Sequence, residues 1–91
     1  MSLIINQVFV DEKFAKCLLV RQFDGVLVPS IGMEIEDLAW EKPKKIKKIV
    51  LNPEQDSYIL FVEDEFISKR DLSKITEKYK KCGWIIAENY N

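Results

Sequence analysis

Short apolar blocks separated by polar clusters predict a chain built mainly of strands. Leu3 to Val10, interrupted by Asn6 and Gln7, reads as the first. Asp11-Glu12-Lys13 breaks it, and Phe14 to Phe23 follows as a longer strand. Phe14, Leu18 and Val20 fall on one face of that strand and Ala15, Cys17, Leu19 and Phe23 on the other. Apolar residues on both faces predict a central or strongly curved strand buried on two sides. Asp24-Gly25 is a hairpin signal, because both central positions of a type I′ turn need positive φ. Val26-Leu27-Val28 would resume the sheet. Pro29 cannot donate to a ladder and belongs at a strand end or an edge. Ser30-Ile31-Gly32 reads as a bend, and Met33 to Glu36 as a strand with Met33 and Ile35 inward.

The strongest tertiary signal comes next. Lys44 to Leu51 and Ser57 to Val62 are strand-like runs flanking the turn residues Asn52-Pro53-Glu54-Gln55-Asp56, which predicts an antiparallel hairpin. Tyr58, Leu60 and Val62 share one face of its second strand, and Ile59 and Phe61 the other. Strand geometry predicts that Lys45 and Lys47 are split from Lys44 and Lys48 onto opposite faces. Asp37 to Pro43 fits a helical turn or a loop, with Trp40 as a lid over the core.

One helix is predicted after the hairpin. Ser68 is a good N-cap, and Asp71 stands where a capping box places its acid. Leu72, Ile75, Tyr79 and Cys82 form a single apolar stripe. Lys78, Lys80 and Lys81 crowd the last turn, where the helix dipole favours cations. Gly83 supplies a left-handed C′ position, and a Schellman ending would bring Trp84 onto Tyr79. Trp84 to Ala87 closes the sheet. Leu60, Phe61, Leu72, Ile75 and Trp84 are expected to be largely buried. The order predicts an α+β, mainly β fold: a small, bent, antiparallel SH3-like barrel of five or six strands, with one helix before the last strand. An open α+β sheet with the helix across one face is the alternative.

Composition narrows the function classes. The 91 residues suit one domain, 47% hydrophobic and 32% charged, with a net charge of −1. A polyanion-binding domain usually carries a clear positive excess. The charge is segregated, however: Lys42 to Lys48 holds five lysines, and Glu63-Asp64-Glu65 is an acidic run. Folding can set such blocks side by side and cancel them. The chain contains no histidine, which removes the commonest general base near neutral pH and the Ser-His and Cys-His nucleophile pairs. Cys17 and Cys82 are too few for a zinc site and read as reduced thiols of a cytoplasmic protein. No apolar stretch approaches a membrane span of about 20 residues, so no membrane partner is expected.

These absences favour a non-enzymatic protein with no cofactor and no metal. Lys44, Lys45, Lys47 and Lys48 are the candidate contacts for nucleic acid or another anion, with Trp40 or Tyr58 placed to stack on a base. The competing account of the same lysines is an edge strand that uses them to block aggregation, and that account has more weight. Glu63-Asp64-Glu65 lacks calcium-loop spacing and reads as the acid-rich approach to a helix.

The run from Val28-Pro29-Ser30-Ile31-Gly32-Met33-Glu34-Ile35 through Lys47-Lys48-Ile49-Val50 to Tyr58-Ile59-Leu60-Phe61-Val62 resembles small SH3-like barrel proteins of bacterial and phage type, most of them uncharacterised. In those a Pro-x-x-Gly bend opens a strand and a later apolar hairpin completes the barrel. The resemblance covers about a third of the chain; it implies a fold and a phage-like origin, with no activity attached. The expectation is an interaction module working through another protein. The alternatives are a nucleic-acid-binding domain using the lysine strand and an assembly subunit that forms homo-oligomers.

Overall fold

Alternation in Ser2–Val10 decides the centre of the fold: Ile4, Asn6, Val8 and Val10 are buried, while the intervening residues are half-buried. The computed structural model describes residues 2–10, 16–23 and 29–89. Among them are seven strands, β1 Ser2–Val10, β2 Lys16–Phe23, β3 Glu34–Ile35, β4 Lys44–Asn52, β5 Ser57–Val62, β6 Glu65–Ile67 and β7 Ile85–Asn89. A 3₁₀ turn, Lys69–Asp71, leads into the helix α1, Leu72–Lys81. The sheet order is β3-β4-β5-β1-β2-β7, with β6 also on β1. The sheet curls into a half-barrel.

Two pairings depart from the antiparallel expectation. β1 runs parallel to β5 through Leu3 to Ile5 and parallel to β6 through Val8 to Val10. Glu63 and Asp64 interrupt what would be one long strand, so β5 and β6 serve successive halves of β1 in a single column. The described residues therefore hold seven strands, where five or six were expected. The predicted Asp24-Gly25 turn, the strand at Val26 to Val28 and the start of the second strand at Phe14 and Ala15 lie outside the described residues. The strand expected over Met33 to Glu36 shortens to β3, where Ile35 packs on the core and Met33 stays exposed.

The β4–β5 hairpin forms as its turn chemistry dictates. The Asn52 side chain accepts a bond from the Gln55 amide at 3.3 Å, and Asp56 adopts positive φ. The bend before β3 closes through Met33 N–H donating to the Ser30 carbonyl, with Gly32 at φ 87°.

The concave side holds the core: Ile4, Val8, Leu19, Ile46, Leu60 and Val62 from the sheet, capped by Ala39, Trp40, Tyr79 and Trp84. Leu72, Ile75 and Cys82 complete the helix stripe against it. The helix ends as a Schellman motif. Trp84 N–H donates to the Tyr79 carbonyl at 3.0 Å and Gly83 N–H to that of Lys80 at 3.2 Å, with Gly83 at φ 92°. The accompanying contact is present too, Tyr79 and Trp84 meeting edge to face at 5.3 Å. The start of the helix differs from expectation. Ser68 caps the 3₁₀ turn without a side-chain bond to backbone; its hydroxyl donates to the Asp71 carboxylate at 2.8 Å.

Candidate functional site

Lys44 is the residue whose position the sequence conceals. It begins β4 opposite Ile35, two residues before the buried Ile46, so it points into the half-barrel. Its ammonium donates to Glu65 Oε1 at 2.6 Å, to Asn6 Oδ1 at 2.6 Å and to the Glu63 carbonyl at 3.3 Å, which uses all three of its protons. The same Glu65 oxygen accepts from the Tyr79 hydroxyl and, at 3.4 Å, from Asn6 Nδ2. One cluster thus ties β1, β4, β6 and α1 together. Burial lowers the Lys44 pKa, against the opposing pull of Glu65, Glu63 and Asp64. Burial also raises the Tyr79 pKa, and the bonded Glu65 carboxylate adds to it.

An open cleft of about 550 Å³ runs past this cluster, between Trp40, Glu65 and Tyr79. The Trp40 ring lies 5.3 Å from the Lys44 ammonium, and its buried Nε1 meets no hydrogen-bond acceptor among the described residues. A second network fixes the loop above. Asp37 accepts from Arg21 at 2.6 Å, from Trp84 Nε1 at 2.9 Å and from the Ala39 amide at 3.0 Å. Arg21 also donates to the Cys82 carbonyl at 2.9 Å. These bonds join the segment after β3 to β2 and to the entrance of β7, across the mouth of the half-barrel.

The other three candidate lysines go elsewhere. Between Ile46 and Lys48 the β4 register shifts against β5: Ile46 opposes Val62, and Lys48 opposes Phe61. The extra residue of this bulge is Lys47. Lys45 and Lys47 flank the inward Ile46, and the shift carries Lys48 outward as well, its ammonium 5.4 Å from the Phe61 ring. The expected split of the lysines into two pairs is therefore corrected: Lys44 points in, and Lys45, Lys47 and Lys48 are exposed on the outer side. Lys47 pairs with Asp64 at 2.7 Å and Lys44 with Glu65, so the acidic run partly neutralises the basic one.

The outer side is the larger surprise. Directly paired residues share a face, so Leu3 lies beside Ile59, and Ile5 between Phe61 and Val20. None of these five packs on the core. Phe61 was expected in the core; the odd-even register of β5, with Leu60 and Val62 inward, puts it on the outer face instead. Farther along, Phe9 stacks on Phe66 at 5.4 Å, and Phe66 is 70% exposed. Val50 and Ile85 stand exposed at the two margins. Helix α1 and the segment after β3 pack on the concave side, and among the described residues no element covers this apolar face. Comparison with known proteins supplies no relative: no family model matches the chain, and neither a curated protein nor a solved structure is similar to it.

Proposed function

We propose that the chain is a small non-enzymatic interaction module that docks on another protein chain through the outer face of its sheet. The observation that carries this reading is the half-buried apolar surface of Leu3, Ile5, Val20, Ile59 and Phe61, which no element among the described residues covers, backing a sheet whose other face already holds a core. A sheet apolar on both faces belongs between two layers, and exposed apolar patches larger than a few hundred Å² mark contact sites. In the polar cluster, the Lys44 protons are spent on internal acceptors, which suits a brace better than a catalyst.

Incorporating the photo-crosslinker p-benzoylphenylalanine at position 66 in cells making the chain tests the reading, with position 38, exposed and away from the sheet's outer face, as control. Protein adducts from 66 and none from 38 are expected; no adduct at 66, or equal adducts from both, would refute it.

A second reading rests on the bulge, which sets Lys45, Lys47 and Lys48 outward next to Phe61, a basic-aromatic pairing suited to single strands. Three phosphate contacts would give a log–log salt slope of only about −2. Gel shifts of wild type and the Lys45/47/48→Gln variant, which leaves the Lys44 brace intact, at two salt concentrations decide it, and salt-sensitive binding lost in the variant would promote this reading over the first.

A further inference from the structure

We draw no further inference here: the strongest candidate, the apolar cavity of about 320 Å³ at the mouth of the half-barrel, walled by Ile4, Phe23, Pro29, Ile35 and Leu60 beside the Arg21–Asp37 pair, carries nothing, because two of its walls, Phe23 and Pro29, adjoin residues 24–28 outside the described residues, and nothing in the structure shows what fills it.

Discussion

Replacing Lys44 with methionine should separate it sharply from the three lysines that follow it. Its side chain is 12% exposed and its partner Glu65 24%, so the pair is neither dry nor fully solvated. Removing the ammonium deletes two bonds of 2.6 Å, one to a carboxylate and one to Asn6, which is fully buried. A hydrogen bond to a charged group contributes about 1.5–3 kcal/mol, and leaving the Asn6 oxygen without a partner costs about 1–3 kcal/mol. Water reaching Glu65 returns part of this, as does relief of the burial that lowers the Lys44 pKa. A net loss of about 2–4 kcal/mol is expected, a large share of a stability of about 5–15 kcal/mol. Lys45→Met, on an exposed outward side chain, should stay within about 0.5 kcal/mol of wild type. Guanidinium unfolding followed by tryptophan fluorescence measures both. Adding Glu65→Leu to Lys44→Met should cost at least about 1 kcal/mol less than the sum of the two single losses, because each single change strands the other's charge. Equal midpoints for the Lys44 and Lys45 variants would refute the inward placement of Lys44 and the polar cluster built on it.

Other substitutions probe the helix and the tyrosine. Gly83→Ala meets no atom within 4 Å, so its cost is conformational alone, about 1–2 kcal/mol for a non-glycine residue at φ 92°, less the chain entropy it removes from the unfolded state. Denaturant midpoints for Ala and Asn at this site should rank Asn nearer to glycine. Ser68→Ala should cost under about 0.5 kcal/mol by the same assay, because the hydroxyl serves a carboxylate and satisfies no helical amide. Tyr79 keeps its proton in the native state above pH 10, where the unfolded chain loses it, so its stabilisation is complete below pH 10 and is lost as pH rises further, by up to about 1.4 kcal/mol per unit. Lys44 acts in the opposite sense, stability rising with pH from its lowered native pKa to 10.5. Unfolding curves from pH 7 to 11 should therefore show wild type losing its advantage over Tyr79→Phe only above pH 10.

Local chemistry was legible and long-range pairing was not. The Gly83 helix ending, the Tyr79–Trp84 contact, the β4–β5 hairpin and the lid role of Trp40 each depend on residues close in sequence or on one large side chain, and each was read correctly. The parallel contacts of β1 with β5 and β6 depend on partners remote in sequence, which no periodicity encodes. Of the lysine cluster, the sequence located the strand but not the bulge, because Lys47 and Lys48 are alike and nothing local marks the extra residue. The signal for the polar cluster was present in Asn6, a polar residue at an inward position of an otherwise apolar strand; its partners Lys44, Glu65 and Tyr79 come from three other elements. Apolar residues on both faces of the strands imply a closing barrel that buries the second face. The half-barrel leaves that face outside.

The central place of β1 also governs how the chain can be assembled. Its parallel partners follow it by more than fifty residues, so the strand that organises the sheet must wait for β5 and β6 before its second edge is filled. Until then β1 and β2 form a hairpin that is apolar on both faces and open along one ladder, the kind of intermediate that recruits other chains. Such non-local pairing places folding in the millisecond-to-second range rather than the microsecond range of helical bundles. For this protein the hazard of aggregation is therefore greatest before the last third of the chain is in place, and the groups through which it would occur are the unfilled ladder of β1 and the apolar residues flanking it.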